Sequence, residues 1–534
     1  MLRQLAALPL FLIFLLPLAL SLALILPTIA EAAAFKALLN HPQLWGAAGL
    51  TLFTGLISTV LSLICALMII AGRIDKPPQA GAMLALPHLS LAIGLSLLIM
   101  PAGLLARIIA LPFGWTSPPM WATTQDRYGL ALTAALVLKE TPFLVWAFAS
   151  LLNRDDLRQA FRGQSAVARS LGRGPASVFL RIIAPQLLNR TVWPLVAVLA
   201  YSLTVVDMAI VIGPTQPPTL AQIIWTDLND AEPAIEARGA AGVLVLSTVI
   251  LLLLWVVGLS VRLGRPYSRK WLSGPPDTGH RKISFLTQTW GLWGLFYSAI
   301  VILLLFQSAS GLWPFPDLLP ESLTFSAWEK LLSDGRPLLT SFLLALGTAM
   351  TALAASVVWF EGMRPSGDKI MLWLAAFLLC LPSLLIGLGQ YRLFLALGIT
   401  GTALAMFLAH VLPVVAYVFI MLQGPYRGFD QRWQTTAAGL GQRRVAFLRQ
   451  IKWPMLKAPI LAAFAVGFAV SIAQYVPAQL AAAGRYSTLP IEAVTLSSGG
   501  NRALVAAYGA ALMALPLIVF LLAQWLSRPR WRAR

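Results

Sequence analysis

Long apolar segments recur along this chain, and they limit its possible folds more than any other feature. A helix needs about 20 apolar residues to cross the hydrocarbon core of a bilayer. The chain holds about twelve such segments, near residues 9–30, 45–72, 83–106, 129–152, 191–213, 239–261, 290–310, 337–360, 370–397, 401–423, 459–480 and 504–527. They lack the apolar–polar alternation of a membrane barrel, and helices satisfy their own backbone groups in lipid. The sequence therefore predicts an all-α, polytopic membrane protein.

Charged residues are few, and their placement is uneven. They make up 11% of the 534 residues, compared with about 25% in soluble domains. Loops 153–190 and 424–458 carry seven cations each, whereas loops 214–238 and 311–336 are mainly acidic. This alternation follows the positive-inside rule. It predicts a multi-pass inner-membrane protein with both termini in the cytoplasm, and it explains the net charge of +19 without a nucleic-acid partner.

The chain contains two copies of one pattern, which indicates an internal repeat. A Pro-then-Gly pattern at 86–95 in the third span returns at 381–388 in the ninth, and Pro142 in the fourth span is matched by Pro413 in the tenth. Each copy holds six helices, so both copies have one orientation and form parallel repeats. We predict a first repeat at 1–261 with basic loop 153–190, a cytoplasmic linker at 262–289, and a second repeat at 290–534 with basic loop 424–458.

The two basic loops share a spaced motif. The first loop reads AVARSLG over 166–172, then nine residues, then IIAP over 182–185. The second loop reads TTAAGLG over 435–441, then nine residues, then IKWP over 451–454. The internal spacing of the two copies is therefore identical.

The motif suits a rigid surface element. Small residues permit a short helix that a partner can approach closely, and a glycine can end such a helix or take a positive φ. We expect Gly172 and Gly441 to make these turns. We also expect Pro185 and Pro454 to end a second short helix and direct the chain into the next span. Such an element could carry a push from a soluble motor into the membrane.

This motif resembles the EAA loop in permease subunits of bacterial ABC importers, where Glu-Ala-Ala is followed by three residues, Gly, nine residues and Ile-x-Leu-Pro. Two copies in one chain resemble the fused permeases of the iron(III), thiamine and polyamine-like branch. The resemblance implies the type I importer permease fold, with two loops that dock on ATPase subunits; we call 153–190 and 424–458 the first and second docking loops. The coupling residues that it implies are Ala166, Ala168, Gly172, Ile182, Pro185, Thr435, Ala437, Gly441, Ile451 and Pro454.

The resemblance also implies partners. A separate ATPase subunit, in two copies, would use ATP and magnesium, and a periplasmic binding protein would deliver a small hydrophilic solute. The chain departs from the family pattern at the glutamate, where it has Ala166 and Thr435, and at the leucine before the last proline, where it has Ala184 and Trp453. The family's glutamate is therefore absent from both loops, whereas the glycines, isoleucines and prolines preserve the loop geometry.

No motif for catalysis or nucleotide binding occurs in the sequence. Segment 274–281 is the nearest approach to a phosphate-binding loop, but it lacks the Lys-Ser/Thr pair. Four scattered histidines form no metal-binding pattern. We therefore expect a transport subunit without its own cofactor or metal, and not an enzyme; a membrane-embedded enzyme would need a catalytic cluster.

An ion-gradient-driven, twelve-helix secondary transporter is the alternative. Its signature would be charge within the membrane, for which Lys139, Glu140 and Asp207 are candidates. That alternative leaves the duplicated loop motif unexplained, so the sequence favours the ABC permease.

The resemblance places the solute path along the fifth span of each half. Polar groups are costly in lipid, so we expect those of the fifth spans to face a cavity or the seam between the halves. Hydrogen bonding between helices is the other explanation for the serines and the threonine. Asp207 would suit a cationic solute, and we expect His410, in the tenth span, to be a packed polar residue. The path candidates are Ser202, Thr204, Asp207, Ser471, Gln474 and Tyr475.

Overall fold

The computed structural model describes residues 2–274 and 289–528, and the regular structure in those residues is helical apart from two isolated β-bridges. Up to residue 274 the helices are α1 (Leu2–Leu10), α2 (Leu16–Ala23), α3 (Ala32–Leu39), α4 (Leu44–Ala71), α5 (Gly81–Leu84), α6 (His88–Ile99), α7 (Leu104–Phe113), α8 (Leu130–Leu152), α9 (Asp155–Ser170), α10 (Pro175–Val178), α11 (Ala184–Arg190), α12 (Val192–Thr204), α13 (Asp207–Ile212), α14 (Leu220–Leu228) and α15 (Pro233–Leu272).

From residue 289 the helices are α16 (Thr289–Ser308), α17 (Ser326–Ser333), α18 (Arg336–Gly362), α19 (Pro365–Cys380), α20 (Ser383–Ala396), α21 (Ala403–Arg427), α22 (Arg432–Gly439), α23 (Arg444–Phe447), α24 (Trp453–Met455), α25 (Lys457–Ile472), α26 (Val476–Ala482), α27 (Leu489–Ser497) and α28 (Arg502–Ser527). Three π-helical turns interrupt the series at Phe11–Leu15, Phe179–Ile183 and Leu448–Lys452, and a 3₁₀-helix follows α2 at Leu26–Ala30.

Nine described segments are long and apolar enough to cross a bilayer. These are Ala6–Ala30, Leu44–Ala71, His88–Phe113, Leu130–Leu152, Pro233–Ser268, Thr289–Ser308, Arg336–Gly362, Ala403–Arg427 and Arg502–Ser527. Three bent helix pairs also qualify: Pro175–Arg190 with Val192–Thr204 at 70°, Pro365–Cys380 with Ser383–Ala396 at 102°, and Arg444–Met455 with Lys457–Ile472 at 75°. Counting each pair as one span gives up to twelve in the described residues. The predicted all-α polytopic fold is confirmed.

Prolines interrupt the third and ninth spans, which we predicted as continuous segments. Pro87 is the N-cap of α6, and Pro382 is the N-cap of α20. A proline starts a helix readily but cannot continue one, because it has no N–H to donate. The third span therefore begins later than the predicted 83–106, and it runs on to Phe113.

Both fifth spans are also interrupted, and the prediction of unbroken helices over 191–213 and 459–480 is wrong. In the first half, α12 ends at Thr204, Val205 is extended, and α13 begins at Asp207. In the second half, a similar break separates α25 from α26. β-Branched valines favour extended backbone but are as apolar as the helix around them. Hydropathy therefore does not locate the break.

The sixth span extends far beyond its predicted limits. We predicted residues 239–261, but α15 has 40 residues, which corresponds to about 60 Å of helix. Its last turns occupy the first part of the predicted linker 262–289. Residues 275–288 of that linker and 529–534 of the basic tail lie outside the described residues.

The helices form two compact units. One unit comprises Met1–Ala30 and Phe325–Arg534, and the other comprises Glu31–Thr324. The predicted repeats, 1–261 and 290–534, remain a prediction about duplicated sequence. The compact units have different boundaries. The first span of the first repeat belongs to the unit that holds most of the second repeat, and the first span of the second repeat belongs to the unit that holds most of the first.

In the unit that contains the chain's first span, α1 packs against α18 and α2 packs against α20. Leu10 and Phe14 are fully buried, and they belong to one apolar cluster with Ala352 and Phe419. Dispersion contacts of this kind hold helices together in lipid, where water supplies no driving force. The second-half helices therefore provide the packing surface for the first span.

In the unit of Glu31–Thr324, α16 packs against α6. The contact depends on Gly94, because a Cβ at that position would lie 2.5 Å from Cγ2 of Ile300. Gly55 of α4 permits a similar approach, since its Cβ would lie 2.5 Å from Cδ2 of Leu203 in α12. Small residues let helix backbones approach closely in this way.

Candidate docking loops and membrane polar clusters

The first docking loop contains a helix closed by a glycine turn. Gly172 follows α9 with a φ of +80°. Its N–H donates to the carbonyl of Arg169 at 3.0 Å, and the N–H of Arg173 donates to the carbonyl of Ala168 at 3.1 Å. These two bonds form a Schellman motif, which satisfies carbonyls that the end of a helix leaves open. The predicted glycine turn is confirmed.

The second docking loop repeats this geometry. Gly441 follows α22 with a φ of +74°. Its N–H donates to Ala438 at 3.0 Å, and the N–H of Gln442 donates to Ala437 at 3.0 Å. Both predicted glycine turns therefore have the same hydrogen bonds as well as the same spacing.

The other motif residues are also equivalent in burial. In each loop the third motif residue, Ala168 or Ala437, is buried. The first motif residue, Ala166 or Thr435, stands at the family's glutamate position and is exposed. Ile182 and Ile451 are both half-buried. Each loop thus presents the start of its motif outward and places its third residue inward. Coupling by these residues remains a prediction.

The motif prolines lie elsewhere in the turn than we predicted. The chain bends by 70° at Thr191, six residues after Pro185, and by 75° at Leu456, two residues after Pro454. A proline normally clashes with the carbonyl four residues earlier. In both loops that carbonyl lies inside a π-helical turn, Phe179–Ile183 or Leu448–Lys452. The wider turn accommodates the ring. Both prolines lie at the start of a helix, and the bends come after them, so the prediction that Pro185 and Pro454 end a helix and direct the chain into the next span is wrong.

Each docking loop begins with a short ion pair at its surface. Arg154 Nη2 lies 2.9 Å from Asp156 Oδ2, and Arg432 Nε lies 2.8 Å from Asp430 Oδ2. The hydrogen bond from the arginine is the main cause that lowers the pKa of each aspartate below its usual range. Both aspartates therefore stay ionised at neutral pH.

The first docking loop also contacts the end of α15. Arg173 Nη2 donates to the carbonyl of Gly274 at 2.8 Å. The guanidinium of Arg181 lies 5.2 Å from the ring centre of Trp271, which is a cation–π contact. These contacts were not predictable from the sequence, because the partners are about a hundred residues apart.

The candidate path residues of the first half surround the break between α12 and α13. Ser202 is buried, and its Oγ has no hydrogen-bond partner among the described atoms. Thr204 Oγ1 donates to the carbonyl of Ala200 within its own helix at 2.8 Å. Asp207 is half-buried at the N-terminus of α13. A carboxylate is favourable at that end of a helix.

Lys139 and Glu140, the charges that motivated the alternative function, have separate roles in the structure. Lys139 Nζ donates to the carbonyls of Leu86 and Leu84, just before α6. It therefore satisfies backbone groups at the interrupted third span. Glu140 is buried, and its Oε1 lies 3.1 Å from Nε2 of His88. His88 was not among the predicted residues, although its position directly after a proline within an apolar segment was a usable signal.

The second half places a different polar cluster beside its broken fifth span. Ser471 Oγ lies 2.9 Å from His410 Nδ1 and accepts a hydrogen bond from Thr348 at 3.1 Å. Gln474 Nε2 donates to the carbonyl of His410 at 3.0 Å. Tyr475 is buried at the break. His410 is packed and hydrogen-bonded, as predicted. Over the described ranges, no three His, Cys, Asp or Glu side chains come together as a metal site.

An all-helical multi-pass fold with two equivalent docking loops is that of a transport permease. No protein-family model matches the chain. The sequence is 32% identical to YnjC, an inner membrane ABC transporter permease protein of Escherichia coli (strain K12), over 506 residues that cover 93% of this chain and 91% of YnjC. The chain belongs to the ABC transporter permeases. It is a transmembrane permease subunit in the inner membrane, and such subunits are transport proteins rather than enzymes.

Shorter relatives support the same family. The spermidine/putrescine transport system permease protein PotC of Haemophilus influenzae is 24% identical over 34% of this chain and 68% of PotC. The transport system permease protein PhnV of Salmonella choleraesuis is 25% identical over 44% of this chain and 92% of PhnV. No relative favours an ion-gradient-driven transporter, so the predicted ABC permease class is confirmed.

Proposed function

We propose that this permease belongs to an importer and couples to two copies of a separate ATPase through its two docking loops. The observation that carries the proposal is the equivalence of the loops: each has a left-handed glycine, a Schellman motif and the same inward alanine. Two matched docking elements suit two copies of one motor. ATP and magnesium would be bound by that partner.

The outer surface of the loops supports docking on a protein. Leu171 is 68% exposed and Leu440 is 83% exposed, each directly before the turning glycine. Each leucine offers a partner one apolar contact beside the turn. Because Ala166 and Thr435 replace the family's glutamate, we propose that apolar contact contributes more to docking here than a salt bridge from that position.

The basic loops set the orientation that we propose. Seven cations in each docking loop support a cytoplasmic position for both loops by the positive-inside rule. We propose that both termini are cytoplasmic as well, as an even number of spans requires. A periplasmic binding protein would then deliver the solute to the opposite face.

The interrupted fifth spans support a solute path. Broken helices in membranes are tolerated where they line a cavity or are covered by protein. The unpartnered Ser202 Oγ and Gln474 Oε1 provide polar groups at the two breaks, and Asp207 provides a carboxylate. We propose that these residues, with Thr204, Ser471 and Tyr475, line the path of a small hydrophilic solute, for which Asp207 favours positive charge.

A tagged purification in mild detergent, with co-purifying subunits identified by mass, tests the coupling. The variant is Gly172→Glu with Gly441→Glu. The matched control is Gly114→Glu with Gly398→Glu, because all four glycines have positive φ and open space around them. The control glycines lie in loops that we place on the other side of the membrane.

We expect the wild type and the control to retain two ATPase subunits per permease, and the docking-loop variant to lose them while remaining monodisperse. A wild-type chain that never retains an ATPase, yet moves solute on a proton or sodium gradient, would contradict the proposal.

A further inference from the structure

Two equivalent hydrogen bonds allow positions in the membrane helices of one half to be matched with those of the other half. The hydroxyl of Thr51 in α4 accepts a hydrogen bond from the first N–H of α14, and the hydroxyl of Ser341 in α18 accepts one from the first N–H of α27, each at 2.8 Å. These equivalent bonds align α4 with α18. In that alignment, Glu361 near the end of α18 corresponds to Ala71 at the end of α4.

Glu361 gathers donors from the second docking loop and from α21. Its Oε1 accepts from Lys452 Nζ at 2.5 Å and from the hydroxyl of Tyr426 at 2.7 Å. Arg444 Nη2 donates to its carbonyl at 2.7 Å and lies 3.2 Å from Oε2. Trp453 Nε1 donates to the Tyr426 hydroxyl at 3.1 Å. Arg444, Lys452 and, through Tyr426, Trp453 are thereby connected to one carboxylate.

A second ion pair fixes the helix end that carries Glu361. Arg427 Nε and Nη2 donate to the two oxygens of Asp368 at 2.6 and 2.9 Å. The same guanidinium donates to the carbonyls of Phe360 and Met363, on either side of Glu361. Because a bidentate arginine pair has a defined geometry, the backbone around Glu361 is fixed.

The equivalent positions in the first half are apolar. Ile183 and Ala184 correspond to Lys452 and Trp453 by the spacing of the loop motif. These two apolar residues are buried in one cluster with Leu157, and Ala71 packs against it. The same junction is therefore built from charges in one half and from hydrocarbon in the other.

We propose that Glu361 is the positioning residue of the second docking loop, which it holds on the membrane helices through Lys452 and Arg444, whereas apolar packing holds the first loop at the equivalent junction. The inference rests on the proposed docking of these loops on ATPase subunits. It concerns how one loop is held, and it goes beyond that function.

Burial makes the Glu361–Lys452 pair asymmetric in its response to mutation. The side chains are only 17% and 13% exposed. Removing one partner of such a pair leaves an unpaired charge, whereas replacing both by apolar residues is often neutral. Arg444 is 62% exposed, so water can solvate its charge. A single substitution should therefore release the loop, and a double substitution should not.

The experiment compares three variants of the full-length chain in lipid nanodiscs. Glu361→Ala removes the carboxylate. Glu361→Ala with Lys452→Ile introduces the residues of the first half. Asp75→Asn is the control, because Asp75 pairs with Arg162 of the first docking loop at 2.6 Å with both side chains more than half exposed. Hydrogen exchange over 444–456 is measured on the chain alone, and the retained ATPase subunits are counted by native mass.

We expect Glu361→Ala to exchange roughly tenfold faster over 444–456, because an unpaired buried charge favours local opening. It should retain about one ATPase subunit instead of two, because the first loop is unaffected. The double variant and Asp75→Asn should resemble the wild type in both measurements.

Wild-type exchange in Glu361→Ala would overturn the proposal, and so would a double variant that behaves like the single one. A wild-type chain that retains no ATPase subunit would instead contradict the proposed docking. The exchange measurement on the chain alone would still decide whether Glu361 holds the loop.

Discussion

At the scale of single residues, conformation and not space selects the turning glycines. A Cβ at Gly172 or Gly441 would meet no atom within 4 Å. Their φ angles of +80° and +74° are nevertheless in the left-handed region. Other L-residues adopt that region only at a cost of about 1–2 kcal/mol. There is therefore room for a larger side chain at these positions, but residues other than glycine disfavour the backbone conformation.

Alanine substitutions separate these two effects. We expect Gly172→Ala and Gly441→Ala each to lower the free energy of unfolding by about 1 kcal/mol and to weaken ATPase retention. Gly163→Ala and Gly439→Ala are matched controls, because these glycines are helical and equally open. The controls should raise the helix stability by about 0.5–1 kcal/mol. Thermal unfolding in detergent measures both effects, and equal shifts in the two pairs would contradict the conformational argument.

Lys139 and Asp207 should differ in what their loss changes. Lys139 is buried and satisfies two carbonyls before α6. Lys139→Met leaves those buried carbonyls without their donor, so we expect the free energy of unfolding to fall by about 1–3 kcal/mol. Asp207→Asn keeps the shape of a path residue and should change that free energy by less than about 1 kcal/mol. Comparable destabilisation in both variants, by thermal unfolding, would argue that Asp207 is structural.

At the scale of elements, a further helix follows the broken fifth span in each half, and a side chain of a neighbouring span caps the N-terminus of that helix. The first N–H of α14 and the first N–H of α27 have no carbonyl of their own helix to pair with. A hydroxyl from α4 or α18 accepts each of them. The repeat therefore preserves a side chain-to-backbone bond as well as a sequence motif.

Removing these hydroxyls leaves buried N–H groups without partners. We expect Thr51→Val and Ser341→Ala each to cost about 1–3 kcal/mol of unfolding free energy. Ser247→Ala is the control, because its hydroxyl bonds only to the carbonyl of Val243 in its own helix. Denaturation in detergent should show a clear loss for the first two variants and almost none for the control. A loss in Ser247→Ala of the same size would contradict the assignment.

The sequence predicted elements whose causes are local. Apolar segments predicted the spans, and Gly172 and Gly441 predicted the turns. Both features depend on residues that are close together in the sequence. The break at Val205 was not predictable from hydropathy, because a valine is apolar in a helix and in an extended segment alike. The Glu361 network was not predictable either, since its partners come from α21 and the second docking loop, far along the chain.

At the scale of the whole molecule, compact units and sequence repeats have different boundaries. The first span lies in the compact unit that contains residues 325–534, and α16 lies in the unit of residues 31–324. A repeat cut from the sequence at its own limits would therefore lack one of its packing helices. Hydrophobic patterning contains no information about this exchange, because each of the exchanged spans is apolar on all sides.

The exchange predicts which fragments fold. A chain of residues 325–534 alone exposes the surface that Leu10 and Phe14 cover in the intact protein. Joining residues 1–30 to it through a flexible linker should restore a protease-resistant, monodisperse unit. The control is a fusion to residues 289–308, a span of the other unit. Equal protease resistance of the two fusions would contradict the assignment of the first span.

The position of the first span also has a consequence for biosynthesis. The ribosome completes that span long before its packing partners, which begin only at residue 325. At about 5–20 residues per second, translation of the intervening segment takes roughly 15–60 s. During that time the newly inserted helix must remain in the bilayer with lipid as its neighbour. Translation speed, and any insertion factor that shelters a lone helix, should therefore influence how much of this permease reaches its finished form.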